Sequence, residues 1–153
     1  CGVSVIEGDE SVRIISSGKR CKACRVKTSP HPGFPTDMQP QFATILCTCN
    51  GTSTVVEDVW DNRFKYVDQL RRMGANIIVN GDTALITGVE KLNGAPVEAD
   101  DLRAGAAMVI AGLMADGETT VGNIKLIDRG YENIVEKLTA VGADISRVTF
   151  DED

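Results

Sequence analysis

The chain repeats itself, and the repeat restricts what it can fold into. Gly51-Thr52-Ser53-Thr54-Val55, a gap of six residues, Asn62-Arg63 and then Leu70-x3-Gly74-Ala75-Asn76-Ile77 return as Gly117-Glu118-Thr119-Thr120-Val121, six residues, Asp128-Arg129 and Leu138-x3-Gly142-Ala143-Asp144-Ile145. The offset is 66 residues as far as the arginine and 68 beyond it. Such self-similarity marks one supersecondary unit used more than once, each copy burying its apolar face against its neighbour. An arginine then sits at the same structural point of each copy, which would let two cations converge on one ligand.

Cys1-Gly2-Val3-Ser4-Val5 has the same helix-end-then-strand wording as Gly74-Ala75-Asn76-Ile77. The chain thus begins and ends at one phase of the repeat. This predicts a piece of a longer protein, with an earlier copy, or at least its last helix, missing upstream.

Local patterns fill in the unit. Residues 3–6 and 12–15 read as a strand pair and 23–27 as a third strand. A loop rich in Pro and Gly follows over 28–35. Thr36-Asp37-Met38-Gln39 has the form of a capping box, with Thr36 as N-cap and Gln39 reaching back, opening a helix to about Asn50 that Gly51 closes. Pro40 is tolerable in the first turn. A strand over 52–57, a short helix carrying Val67, Leu70 and Met73, and strands 75–79 and 83–87 around the hairpin signal Asn80-Gly81 complete the first copy. The second runs as strand 96–99, helix 101–115, strand 118–124, helix 131–141 and strand 143–148. Helix 101–115 is apolar nearly all round, so it is expected to be buried at the centre of its domain.

Two crossover helices per unit imply sheets covered by helices, hence an α/β architecture, or α+β in some classifications, with copies at approximately 23–87 and 96–148 inside one domain. A length of 153 residues suits that. The longest apolar run, 106–115, is about half of the ~20 residues a membrane span needs, so no membrane partner is expected. With 16 basic against 22 acidic residues the net charge is −6, three of the acids being Asp151, Glu152 and Asp153. Nucleic-acid binders normally present a basic face, so that partner is disfavoured. A small anion remains compatible, since a cleft needs only a few arginines.

Cys21-x2-Cys24 with Cys47-x-Cys49 invites a four-thiolate zinc site. Cys47 and Cys49 near a helix end would point apart, however, and the favoured reading of all five cysteines is structural thiols in a cytosolic protein. Neither a metal nor a cofactor is expected.

Three groups could carry chemistry. Asp37, after a proline-rich loop and in the first helical turn, either complements the helix dipole or faces a substrate hydroxyl. A helix N-terminus favours the anion, so a functional Asp37 would orient the hydroxyl and accept its proton late. Arg63 and Arg129 each lie twelve residues after a helix-closing glycine. Singly each would form a surface ion pair; together they suit a carboxylate or phosphate. Asp101 and Arg103 open the buried helix, and Arg103 stands 66 residues after Asp37, the matched position with the opposite charge. Glu132 could pair with Arg129, and His31, between prolines, reads as loop structure.

His31-Pro32-Gly33-Phe34-Pro35-Thr36-Asp37-Met38-Gln39, Asn62-Arg63-Phe64, Asp101-Leu102-Arg103-Ala104 and Asp128-Arg129-Gly130-Tyr131-Glu132 together resemble the UDP-N-acetylglucosamine enolpyruvyl transferases. The resemblance covers essentially the whole chain. It implies an inside-out α/β barrel of repeated βαβαββ units, about two of which are present, with substrates bound between two domains. It also implies transfer of the enolpyruvyl group of phosphoenolpyruvate to the 3′-hydroxyl of UDP-N-acetylglucosamine, the first committed step of peptidoglycan synthesis. Carried over, Asp37 would contact the hydroxyl as base and Val59 would bind the nucleotide sugar through its backbone. Arg63 and Arg129 would line the phosphoenolpyruvate side, and Asp101 and Arg103 would support the closed cleft.

Family members are roughly two and a half times longer, and their general-acid cysteine lies in a loop absent here, so none of the five cysteines inherits that role. The chain reads as a C-terminal part that needs the missing N-terminal part, is inactive alone and self-associates through uncovered apolar surface. The alternatives are a 5-enolpyruvylshikimate-3-phosphate synthase-like transferase, or a non-catalytic βαβαββ binding module.

Overall fold

The computed structural model describes residues 1–149. The acidic residues 151–153 lie outside them. The strands are β1 (Ser4–Glu7), β2 (Val12–Ile15), β3 (Arg25–Lys27), β4 (Thr52–Val56), β5 (Asn76–Asn80), β6 (Thr83–Thr87), β7 (Leu92–Asn93), β8 (Pro96–Glu98), β9 (Ala115–Asp116) and β10 (Thr120–Gly122). The helices are α1 (Gln39–Leu46), α2 (Val67–Arg72), α3 (Leu102–Met114), α4 (Lys125–Asp128) and α5 (Ile134–Ala140), with a 3-10 turn at Thr36–Met38.

One strand pairing of the first copy recurs in the second. In the first copy β3 runs parallel to β4, and β6 lies between β4 and β5 in the order β3-β4-β6-β5. In the second, β8 runs parallel to β10 just as β3 does to β4. A short parallel pair, β7 with β9, ties the copies together. α3 packs on α1, α2 and α4 and on strands β8 and β10. Its residues Ala104, Ala106, Ala107, Met108 and Ala111 are buried, as the all-round apolar pattern predicts. Small side chains let neighbours come close: a Cβ on Gly105 would stand 2.5 Å from Ile127 Cγ1. The main core joins Leu46, Val55, Tyr66, Leu70, Met73, Ile86, Leu92 and Met108.

Several expectations are corrected. Helix α1 stops at Leu46 rather than near Asn50, its end continued by turns that bond Cys47 N–H to the Thr44 carbonyl and Cys49 N–H to the Leu46 carbonyl. The capping box is not formed. Met38 occupies the N-cap without a side-chain bond, because Thr36 and Gln39 are both engaged elsewhere, by Arg63 and Tyr66. Residues 143–148 are not a strand. Their counterpart β5 is held by pairing with β6, whereas no strand among the described residues pairs with 143–148. A hollow of about 710 Å³ separates Thr120, Val121 and Gly122 from Ile145 and Val148. β7, β9 and α4 are too short to show as periodicity.

β1 and β2 form an isolated antiparallel hairpin, with Val5, Ile6, Val12, Ile14 and Ile15 exposed. No helix of the described residues is long and apolar enough to cross a membrane.

Candidate active site

Asp37 sits in the 3-10 turn that follows the 28–35 loop. The loop is closed at its root by Ser29 N–H on the Phe34 carbonyl (3.0 Å) and held against α1 by Phe34 packed on Phe42, ring centroids 5.3 Å apart. The His31–Pro32 bond is cis. The Ser29–Phe34 bond and the packing of Phe34 on Phe42 fix the approach of Asp37 to its neighbours while leaving its carboxylate 59% exposed.

The matched positions 37 and 103 meet. Arg103 Nε donates to Asp37 Oδ1, and Arg63 Nη2 lies 3.8 Å from the same oxygen. Arg63 Nε also donates to Thr36 Oγ1 (3.2 Å), and its guanidinium lies 5.8 Å from the Trp60 ring centroid. With its side chain only 12% exposed, Arg63 is a fixed cation rather than a solvated one. Asn62, in the left-handed region at φ 56, makes the turn into Arg63, a conformation asparagine tolerates better than most side chains.

The hydrogen bond from Arg103 holds Asp37 below the ordinary carboxylate value of 3.8; partial burial opposes this, and the charges of Arg103 and Arg63 reinforce it. Sequence reasoning assigned that effect to a helix N-terminus. The structure assigns it chiefly to Arg103, whose own pKa is raised by the same bond. Asp101 does what its position predicts: its Oδ1 accepts from Arg103 N–H (2.7 Å) and Ala104 N–H (2.9 Å), capping α3 and so orienting Arg103.

Val59 lies in the turn after β4. Its N–H donates to Glu57 Oε1 (3.1 Å), so the carbonyl is the backbone group left for an external donor. Trp60, Asn62, Arg63, Tyr66, Asp101 and Ala104 line a cleft of about 310 Å³. The larger hollow at the end of the second copy holds none of the candidate residues, and we assign the site to the smaller cleft, which Arg63 and Asp101 line.

Arg129 is exposed at the C-terminal end of α4. Its loop abuts the start of α3, since a Cβ on Gly130 would stand 2.8 Å from Leu102 Cδ2, and Gln41 Nε2 donates to Tyr131 Oη (3.2 Å) from α1. Among the described residues no ion pair or hydrogen bond joins Arg129 to Asp37, whose ion pairs are with Arg103 and Arg63. The pairing of Arg129 with Glu132 is likewise absent; the ion pair of that loop is Asp128 with Arg147 (2.7 Å). Asp128 is held low and Arg147 high by that bond.

The four-thiolate zinc reading fails. Cys47 and Cys49 are buried and donate to the helix carbonyls of Ala43 (3.4 Å) and Ile45 (3.6 Å), and among the described residues no group of three or more His, Cys, Asp or Glu is placed to hold an ion. Burial pushes the Cys47 thiol up to about 12. Sequence reasoning also missed Glu57 and Thr28, buried at the roots of the two site loops; nothing in the repeat marks them, because their counterparts in the second copy differ.

Comparison with known proteins sets this geometry in a family. The family model described as EPSP synthase (3-phosphoshikimate 1-carboxyvinyltransferase) matches residues 1–138. A UDP-N-acetylglucosamine 1-carboxyvinyltransferase of Desulfofundulus thermocisternus is 53% identical over 151 residues, covering 99% of this chain and 62% of the relative. One from Clostridium botulinum is 54% identical over 147 residues, covering 96% of this chain and 35% of the relative. The chain therefore spans about a third to three-fifths of the length of these curated relatives. Among solved structures, the enolpyruvyl transferase NikO from Streptomyces tendae superimposes with a TM-score of 0.84 at 29% identity, covering 94% of this chain and 33% of that one. An EPSP synthase from Acinetobacter baumannii shares the fold, with a TM-score of 0.60 at 24% identity over 78% of this chain and 29% of that one.

Proposed function

We propose, because this chain belongs to the EPSP synthase family, that it is part of a transferase moving the enolpyruvyl group of phosphoenolpyruvate onto the 3′-hydroxyl of UDP-N-acetylglucosamine with release of phosphate. The observation that carries the proposal is Asp37 held between Arg103 and Arg63, the latter lining the cleft, in a chain about half identical to relatives named UDP-N-acetylglucosamine 1-carboxyvinyltransferase.

In this reading the acceptor hydroxyl lies against Asp37. A carboxylate with a lowered pKa is a weak base, so Asp37 orients the hydroxyl and takes its proton as the oxygen bonds to carbon 2 of phosphoenolpyruvate. Arg63 and Arg129 stand on the side of the phosphate and carboxylate, stabilising an anion whose charge redistributes when the adduct forms and phosphate leaves. Arg103, oriented by Asp101, holds Asp37 in register. The Val59 carbonyl receives a donor from the nucleotide sugar. The group that protonates carbon 3 as the adduct forms, and the base that removes a proton from carbon 3 as phosphate leaves and the double bond is restored, would belong to the remainder of the longer protein. So would the opposing wall, which leaves this chain inactive by itself. Such an enzyme would serve cell-wall peptidoglycan synthesis in the cytoplasm, and thereby cell shape, the cell cycle and division.

The test is phosphate release by the longer protein with UDP-N-acetylglucosamine and, separately, with shikimate 3-phosphate. Turnover with the nucleotide sugar is expected; turnover with shikimate 3-phosphate alone would transfer the assignment to the sister reaction. Asp37→Ala is expected to lower kcat by about 10²- to 10⁴-fold, the usual worth of a positioned acid-base group.

A further inference from the structure

We infer that Glu57 is a positioning residue, fixing the loop that carries Asp37 relative to the loop that carries Arg63. The inference rests on the proposed reaction for its kinetic consequence but not for its geometry. Glu57 follows β4 and is 5% exposed. Its Oε1 accepts three hydrogen bonds, from Thr28 Oγ1 (2.9 Å), Val59 N–H (3.1 Å) and Trp60 N–H (3.1 Å). Thr28 is fully buried, and its hydroxyl oxygen accepts in turn from Asp58 N–H (2.9 Å).

These bonds close a ring. Thr28 is the root of the 29–35 loop, bonded through its N–H to the Val56 carbonyl (2.9 Å) and bridged to Phe34, and that loop delivers Thr36 and Asp37. Trp60 is the floor on which Arg63 rests, and Arg63 reaches across to Thr36 and Asp37. Remove the carboxyl group and two backbone N–H groups lose their acceptor, the 58–60 turn is released, and Trp60 and Arg63 are freed to shift against Asp37.

Stability alone does not account for a carboxyl group here. Its Oε2 is buried with no partner among the described residues, a cost that an apolar side chain would avoid. What an apolar side chain cannot do is gather three donors from two loops onto one oxygen.

The experiment compares Glu57→Ala, Glu57→Gln and Thr28→Val, in the longer protein for turnover and in this chain for the state of Trp60, its single tryptophan. Glu57→Ala should lower kcat/KM by about 10²-fold, the scale on which a misplacement of about 1 Å acts, and raise acrylamide quenching of Trp60. Glu57→Gln, which keeps the acceptor oxygen, should restore most of both. Thr28→Val should move both in the same direction as Glu57→Ala, and the double variant should be no worse than Glu57→Ala. A folded Glu57→Ala protein with wild-type kinetics and quenching overturns the inference, as does a Glu57→Gln protein as damaged as Glu57→Ala. Should Glu57→Ala not fold, Thr28→Val decides, and wild-type turnover with unchanged quenching would count against us. A longer protein inert toward both acceptors would refute the proposed function, while the Trp60 measurement would still decide the role of Glu57.

Discussion

Asp37 and Arg103 each explain the other. The carboxylate takes its low pKa first from the Arg103 hydrogen bond, so Arg103→Met should raise it toward 3.8, followed by the carboxyl carbon resonance across an acid titration. The sign of the stability effect follows. A folded-state pKa below the unfolded one contributes stability above the unfolded pKa, lost as pH falls through the folded one. Arg103→Met should therefore cost stability at neutral pH and little in strong acid. The cost will be small, since Asp37 is largely exposed and screened. Cys47 offers a second check. Its thiol, pushed to about 12 by burial, should resist alkylation at pH 8 in the folded chain while the half-buried Cys1, Cys21 and Cys24 react; mass mapping of the modified cysteines will show the order. The pairing of 37 with 103 was half legible beforehand: the offset matched the positions and their opposite signs, but only packing of α1 on α3 brings them into contact. Glu57 was illegible because its partners are a threonine 29 residues away and two backbone N–H groups, and neither leaves a periodic trace.

Among the elements, α3 carries the most weight. Its cap is a single side chain, and Asp101→Ala should destabilise the chain by about 1 kcal/mol, measured by urea unfolding, with Arg103 loosened as a side effect. Gly105→Val forces a branched side chain toward Ile127 and Ala99 where even a Cβ meets atoms at 2.5 and 2.9 Å. Overpacking of that kind costs about 1–3 kcal/mol, and the same unfolding measurement will register it. Sequence periodicity located this helix to within a residue because thirteen residues leave a long record. It failed at 143–148, where the sequence predicts a strand but no neighbouring strand among the described residues pairs with it. It failed differently at Thr36 and Gln39, whose capping pattern is local while their bonds to Arg63 and Tyr66 are not.

At the scale of the molecule, apolar surface is left uncovered at the β1–β2 hairpin, whereas the β5–β6 hairpin of the first copy is joined through β6 to a four-stranded sheet. The isolated chain is accordingly expected to self-associate, its sedimentation coefficient rising with concentration; a constant monomeric value would contradict this. The contact of Asp37 with Arg103 has one more consequence. It joins residues 66 apart, one from each copy, with no local interaction to hold them together beforehand. Neither copy buries its apolar face alone, since Leu46 and Leu70 share one core with Met108 of α3, so the charges meet only as α1 docks on α3, when the entropy of closing that long loop has been met. The competent geometry should thus form with the docking of the two copies and be lost as they separate. A denaturant that frees α1 from α3 should disable the cleft in the same step as it opens the shared core.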